Sequence, residues 1–173
     1  AVIQVSTLGM AALRVEIFDA VGEELGAKVM YEAAAASYAD VEGFVAQSRI
    51  VRGEPRNLVP CLEDGIALEV EPLGGQKTGL FLDQRQNRIR VGQLAGGARV
   101  LDCYSYAGGF ALQAARGGAS EVTAVDSSSR AVARIEAHAS ANRLSVTAVE
   151  ADTFRFLETA TPRSYDLVII DPP

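Results

Sequence analysis

Two carboxylates and a glycine pair are the residues of this sequence whose types and spacing could do chemistry. The apolar run Val100–Cys103 is typical of a buried parallel strand, and Gly108-Gly109 follows it, ahead of residues that suit a helix. Glycines let a ligand approach the backbone, and the free N–H groups of a first helical turn face that ligand. The strand, turn and helix together predict a nucleotide-type cofactor site.

The two carboxylates lie where further predicted strands end. Asp126 is the last residue of the run Val122–Asp126, eighteen residues beyond Gly108. At this position a doubly wound fold has a carboxylate that accepts hydrogen bonds from ribose hydroxyls. Asp171 follows the run Leu167–Ile170, and the prolines after it stop the strand. Both carboxylates should then lie at the carboxyl edge of the sheet, where open α/β sheets bind ligands. The alternative for these features is an ordinary strand-to-helix turn and an ordinary strand end.

The composition excludes several classes of protein. Of 173 residues, 49% are hydrophobic and 22% charged, which is typical of a globular domain. No apolar run approaches membrane-spanning length, and no secretory signal is visible. The net charge of −6 argues against a general nucleic-acid-binding surface. Cys61 and Cys103 are too few for a disulfide framework or a zinc site, so we expect a cytoplasmic setting and no metal.

The predicted elements give an α/β fold in two parts. A small α+β domain spans residues 1–73, a linker spans 74–92, and a Rossmann-like domain spans 93–173. Right-handed crossovers between four parallel strands give the sheet order 3-2-1-4. These strands are expected to begin near Val100, Val122, Val146 and Asp166. The fourth is apolar throughout, so we expect it to need cover on both faces and a partner at its edge.

The first part and the linker carry three further patterns. One amphipathic helix, ended by Gly26, is predicted from apolar residues recurring every four positions at Leu13, Ile17, Val21 and Leu25. Asp64-Gly65 between two apolar runs predicts a hairpin. The linker region has a local excess of cations at Lys77, Arg85, Arg88 and Arg90. They form either a solvated helix face or a contact for phosphate or a cofactor carboxylate.

Four motifs make the chain similar to a known family. They are Gly75-x-Lys77-Thr78-Gly79-x-Phe81-Leu82-Asp83-Gln84-Arg85, Leu101-Asp102-x-x-Ser105-Tyr106-x-Gly108-Gly109-Phe110, Val125-Asp126-Ser127 and Asp171-Pro172-Pro173. Together they resemble the large-subunit rRNA methyltransferases of the RlmI-like 5-methylcytosine group. The resemblance covers almost the whole chain and implies a class I methyltransferase fold and S-adenosyl-L-methionine as cofactor.

The resemblance also implies which residues form the site. Asp171 would position the target base. The cofactor-binding residues would be Gln84, Arg85, Asp102, Ser105, Tyr106, Gly108, Gly109, Phe110, Asp126, Ser127, Asp152 and Asp171. Asp152 could equally be the N-cap of the helix that follows it, or do both. His138, the sole histidine, is expected to be a partly covered helix residue and not a catalytic one.

For methylation of cytosine at carbon 5, the resemblance implies a cysteine thiolate that adds to the neighbouring ring carbon. The family's cysteine follows Asp-Pro-Pro, beyond residue 173, and neither Cys61 nor Cys103 matches it. The chain is therefore expected to be truncated, to be without the family's N-terminal RNA-binding module, and to be inactive alone. The implied partner is large-subunit rRNA, with no membrane and with a homodimer as one assembly.

Three functions stay open at this point. The first is RNA cytosine-5 methylation, and the second is methylation of a guanine nitrogen in rRNA, which shares the motifs and needs no cysteine. The third is a cofactor-binding or RNA-binding module without catalysis. A cysteine in the sequence after Pro173 would favour the first. A nicotinamide dehydrogenase is opposed by the missing third glycine and by Asp-Pro-Pro.

Overall fold

A computed structural model of the chain describes residues 1–34, 36–54, 56–72 and 79–172. The chain divides into two compact units. The N-terminal unit comprises Ala1–Val59 with Val70–Leu80, and the sheet unit comprises Pro60–Glu69 with Phe81–Pro173. The part of the linker motif from Gly75 to Thr78, which includes Lys77, lies outside the described residues.

In the N-terminal unit, a sheet forms from β1 (Val2–Gln4), β2 (Met30–Ala33) and β3 (Arg49–Arg52). β2 is the central strand, parallel to β1 and antiparallel to β3. The helices of this unit are α1 (Leu8–Ala12), α2 (Arg14–Glu24) and α3 (Ala36–Glu42).

The single amphipathic helix predicted for this unit is two helices, because α1 ends before Leu13 and α2 begins after it. Leu13 and Leu25, the ends of the predicted apolar stripe, are exposed. The buried residues of α2 are instead Phe18 and Gly22. The stripe was therefore wrong at both ends, because the aromatic side chain of Phe18 removes more apolar area from water than a leucine does.

The hairpin predicted around Asp64-Gly65 is present as β4 (Val59–Glu63) and β5 (Ile66–Val70). Both turn residues have positive φ, 47° at Asp64 and 78° at Gly65, which is the type I′ geometry that suits the twist of a hairpin. Its residues 60–69 belong to the sheet unit, although the sequence placed them with the small domain. The reason is that they bond to helices of the sheet unit.

The sheet unit contains β6 (Arg99–Cys103), β7 (Glu121–Asp126), β8 (Thr147–Glu150) and β9 (Leu167–Ile170). They pair in parallel in the order β8-β7-β6-β9, which confirms the predicted order 3-2-1-4 and the α/β fold class. The helices are α4 (Arg85–Leu94), α5 (Gly109–Arg116), α6 (Ser129–Asn142) and α7 (Thr153–Thr159). A 3-10 turn, Leu82–Gln84, leads into α4.

Both faces of the central strand β6 are covered. Val100 packs in a cluster with Ile135 of α6, and Leu101 packs in a second cluster with Val125 and Phe156. The described residues cover only one face of the edge strand β9: Ile169 is buried, whereas Val168 and Ile170 are 45% and 62% exposed. Within the described part of the chain, no helix has the length and apolar character that crossing a bilayer requires.

Candidate cofactor site

The predicted strand, glycine turn and helix are β6, a short connection and α5. The connection is tight, because Ser105 Oγ donates to the Asp102 carbonyl at 2.6 Å and Gly108 N donates to the Ser105 carbonyl at 2.8 Å. Tyr104, Tyr106 and Gly108 have φ of 58°, 51° and 80°. Non-glycine residues rarely adopt such angles, and their concentration in one loop is typical of functional sites.

Packing inside the protein already requires both glycines of the turn. Gly108 has positive φ, and a Cβ there would lie 3.1 Å from Ile135 Cγ1. A Cβ on Gly109 would lie 2.7 Å from Arg88 Cδ. Protein atoms thus take the space that a side chain would need, and the contact of these glycines with a cofactor stays a prediction.

Asp126 ends β7 beside this turn. Its Oδ2 accepts a hydrogen bond from Tyr106 N at 2.8 Å, and its Oδ1 accepts from Ser128 N at 2.9 Å. The neighbouring Ser127 is exposed. Each carboxylate oxygen can accept a second hydrogen bond. Asp126 can therefore hold the turn and still accept from the hydroxyls of a ligand.

Asp102 is the most perturbed carboxyl group of the site. It is 1% exposed; Oδ2 accepts from Ala111 N in α5 at 3.1 Å, and Oδ1 has no hydrogen-bond partner among the described residues. Burial raises its pKa to about 7, and the negative charges of Asp171 and Asp126 add to the rise. A positively charged ligand group at this place would favour the ionised form and remove the desolvation penalty in part.

Asp171, the predicted carboxylate at the end of the fourth parallel strand, follows β9 and contacts the residue before α4. Gln84 Nε2 donates to Asp171 Oδ1 at 3.5 Å, a long hydrogen bond. Asn87 Nδ2 donates to Gln84 Oε1 at 2.6 Å, so the Gln84 amide must present its nitrogen to Asp171. The structure thus brings together Gln84 and Asp171, which are far apart in the sequence.

The two predicted aromatic residues have different surroundings. The Tyr106 ring meets Phe81 edge to face at a centroid distance of 5.8 Å, and its buried Oη has no partner among the described residues. Phe110 packs against the core, and its ring centroid is 6.0 Å from Arg88 Cζ. Tyr106 therefore offers a hydroxyl to a ligand, whereas Phe110 is already engaged by protein groups.

Two further predicted residues lie at helix starts. Arg85 is the first residue of α4 and is exposed. Asp152 is the N-cap of α7, with Oδ1 accepting from Arg155 N at 3.0 Å, so the capping alternative is confirmed. A contact between Asp152 and a cofactor stays a prediction.

The predicted cationic patch does not include Arg88. Arg88 is 3% exposed, and its guanidinium donates to both Glu63 oxygens at 2.6 Å. Arg88 is therefore unavailable to a phosphate, because Glu63 already neutralises it. One signal was present in the sequence, the acid Glu63 at the end of an apolar run, but no local pattern pairs it with a residue 25 positions away.

The cysteines and the histidine differ in burial: Cys103 is buried, Cys61 is half-buried, and His138, which was expected to be partly covered, is fully buried. Burial raises the pKa of the Cys103 thiol, with the charge of Asp102 adding to it, and burial also raises that of Cys61. His138 is buried in α6 and uses both ring nitrogens in contacts with backbone groups. Among the described residues, no group of three or more potential metal ligands is close enough to hold an ion.

Comparison with known proteins identifies this arrangement. A family model described as S-adenosylmethionine-dependent methyltransferase matches residues 44–173. The chain belongs to this family. A crystal structure of a protein assigned to the methyltransferases, solved in complex with SAH, superimposes with a TM-score of 0.84 at 31% identity and covers 99% of this chain and 45% of its own.

Two curated relatives show which kind of methyltransferase the chain is similar to. A ribosomal RNA large subunit methyltransferase of Deinococcus radiodurans is 50% identical over 116 residues, which is 64% of this chain and 28% of that protein. Ribosomal RNA large subunit methyltransferase I of Tolumonas auensis is 33% identical over 99% of this chain and 45% of its own length. The chain thus spans less than half the length of these relatives.

Proposed function

We propose that the full-length protein containing this chain methylates large-subunit ribosomal RNA at carbon 5 of cytosine, with S-adenosylmethionine as methyl donor. The relatives' names and the four sequence motifs support the substrate. The observation that carries the proposal is Asp102, a buried carboxyl group beside the glycine turn, one oxygen of which has no hydrogen-bond partner among the described residues. We further propose a cytoplasmic location, where ribosomal RNA is modified, and leave a homodimer as one assembly to be tested.

The residues of the site fit this cofactor, which supplies an electrophilic methyl group on a positively charged sulfur. Asp126 would accept from its ribose hydroxyls, and Asp102 would face a cationic group of its methionine part. Tyr106 Oη would contribute a hydrogen bond. The further contacts that we propose from the motifs are Gln84, Arg85, Ser105, Gly108, Gly109, Phe110, Ser127, Asp152 and Asp171.

The substrate side of the site is represented by Asp171. Held by Gln84 at the end of β9, its carboxylate would position the target base. Neither cysteine of the chain suits a nucleophile, because burial favours the neutral thiol in both. We therefore propose that the cysteine that attacks the base lies outside these residues, after Asp-Pro-Pro.

The test is incubation of the full-length protein with labelled S-adenosylmethionine and unmodified large-subunit rRNA. Nucleoside mass spectrometry should show 5-methylcytidine. A methylated guanosine would contradict the base assignment, and absence of both cofactor binding and label would contradict methyl transfer altogether. The fragment Ala1–Pro173, assayed in parallel, should leave the RNA unlabelled. Label from the fragment that is lost in Cys103→Ala would show that the nucleophile is Cys103.

A further inference from the structure

Alternate positions of the hairpin are docked to side chains of the sheet unit. Along β5 the buried side chains are Ile66 and Leu68, and the exposed residues Ala67 and Glu69 contact the sheet unit through their backbone N–H groups. The contacting pairs are Glu63 with Arg88 of α4, Gly65 with Arg116 of α5, Ala67 with Asn142 of α6, and Glu69 with His138 of α6. Two of the four side chains, Arg88 and His138, also reach the glycine turn.

Arg88 links the first strand of the hairpin to the start of α5. Its guanidinium donates to both oxygens of the Glu63 carboxylate, and both side chains are buried. Its stem lies against Gly109, where an added Cβ would be 2.7 Å from Cδ. Glu63 thus holds the side chain that bounds one side of the turn.

His138 links the second strand of the hairpin to the other side of the turn. Its Nε2 accepts from Glu69 N at 2.9 Å, and its Nδ1 lies 3.0 Å from the Ala107 carbonyl. A backbone N–H only donates and a carbonyl only accepts, so the ring must be neutral with its hydrogen on Nδ1. One imidazole therefore joins two backbone segments that are 38 residues apart, Glu69 and Ala107.

We propose that the hairpin at residues 60–69 is a positioning element for the cofactor turn, and that Arg88 and His138 are the positioning residues through which it acts. The proposal rests on the proposed function, because the turn is taken to hold S-adenosylmethionine. Contacts on both sides of Gly108 restrict a backbone that has three positive φ angles. The turn therefore loses less conformational freedom when the cofactor binds, and binding costs less free energy.

Two variants of His138 separate its two contacts. The amide nitrogen of asparagine can replace Nδ1, so His138→Asn keeps the bond to Ala107 and loses the bond to Glu69. The amide oxygen of glutamine can replace Nε2, so His138→Gln keeps the bond to Glu69 and loses the bond to Ala107. If the hairpin acts through His138, each variant should raise the Kd for S-adenosylmethionine about 3- to 10-fold in the full-length protein.

Glu63→Gln tests the Arg88 connection without changing side-chain size. It should raise the cofactor Kd to a similar extent and raise the cofactor KM, with kcat at saturating cofactor and the KM for rRNA unchanged. The control is Asp166→Asn, which breaks an ion pair with Arg99 at the opposite end of the sheet. It should lower the unfolding temperature but leave the cofactor Kd unchanged.

The outcomes decide between positioning and mere docking. A cofactor Kd equal to wild type in both His138→Asn and Glu63→Gln overturns the proposal, even if both variants are less stable. A raised Kd in His138→Gln alone would show that His138 holds the turn without the hairpin, and also overturns it. If the His138 variants do not fold, Glu63→Gln decides. Failure of the wild-type protein itself to bind S-adenosylmethionine would contradict the proposed function instead.

Discussion

Two aspartates at opposite ends of the parallel sheet have pKa values that are shifted in opposite directions. At the amino ends of the strands, Asp166 accepts hydrogen bonds from Arg99 Nε and Nη2, each at 3.0 Å. These bonds lower the pKa of Asp166 to about 2. At the carboxyl ends, burial raises the pKa of Asp102 to about 7, and Oδ1 has no partner among the described residues.

The difference shows which of the two carboxylates is paired with a cation among the described residues. Arg99 supplies the countercharge at the amino end, so folding alone satisfies that carboxylate. At the carboxyl end, Asp102 adjoins a glycine turn and two further carboxylates, Asp126 and Asp171, that raise its pKa further. A group left unsatisfied in this way costs stability and is expected where a ligand supplies the missing charge.

The largest expected effect comes from a side chain in the turn at the carboxyl end. Gly108→Val should abolish S-adenosylmethionine binding and, because φ is +80° and Ile135 is in contact, should also destabilise the protein by about 2–4 kcal/mol. The matched control at the amino end is Gly118→Val, where φ is +88° and a Cβ would meet nothing within 4 Å. Calorimetry and chemical denaturation of both variants measure the effects. Cofactor binding by Gly108→Val equal to wild type would make the turn structural only.

The second effect is the loss of Asp126, the carboxylate that we propose accepts hydrogen bonds from the cofactor ribose. Asp126→Ala should weaken S-adenosylmethionine binding by about 1–3 kcal/mol, because hydrogen-bonding groups of the ligand lose their acceptor. Titration calorimetry on the full-length protein measures it. Asp126 also holds Tyr106 N and Ser128 N, so thermal unfolding must be recorded beside it. Affinity unchanged in a folded variant would remove Asp126 from the cofactor site.

The third substitution, Asp102→Asn, should weaken cofactor binding but remove a loss of stability that wild type shows as pH rises. Asp102→Asn keeps an acceptor for Ala111 N but removes the charge, so it should bind the cofactor more weakly than wild type. The folded-state pKa of about 7 lies above the ordinary value of 3.8, so the folded protein binds the extra proton and wild-type stability falls as pH rises between these values.

Between pH 5 and pH 8, wild type should therefore lose about 1–3 kcal/mol of unfolding free energy relative to Asp102→Asn. Urea denaturation of both proteins without cofactor at the two pH values measures it. Parallel pH profiles of the two proteins would show that Asp102 does not titrate in this range and would break the comparison of the two ends.

The smallest effect is expected at the amino end. Asp166→Asn weakens an exposed ion pair, so it should lower the unfolding temperature only slightly and leave cofactor affinity unchanged. The lowered pKa of Asp166 means that its stabilising effect is present above pH 4 and is lost as pH falls toward 2, so the variant should lose this acid dependence. Cofactor affinity that fell with Asp166→Asn would show that the two ends of the sheet are coupled.

Local patterns in the sequence were sufficient for the order of the parallel strands and for the turn after β6. Strands of apolar residues joined by helical segments cross over with one hand, so the order β8-β7-β6-β9 followed from their succession along the chain. The same reasoning placed Asp126 and Asp171 at strand ends, because a glycine, a proline or an acid after an apolar run stops the strand locally. The helix at Leu13 was predicted less well, since there the choice of buried face depends on packing with other elements.

Only the tertiary structure decided the charge state and the partners of these side chains. The sequence pattern predicted Arg88 as part of a cationic patch, but Glu63 neutralises it. The hairpin that carries Glu63 belongs to the sheet unit. His138 links Glu69 to Ala107 through contacts distant in the sequence, and burial raises the pKa of Asp102 to about 7. Electrostatic interactions depend on distance in space and on burial, and neither quantity is contained in the local sequence pattern.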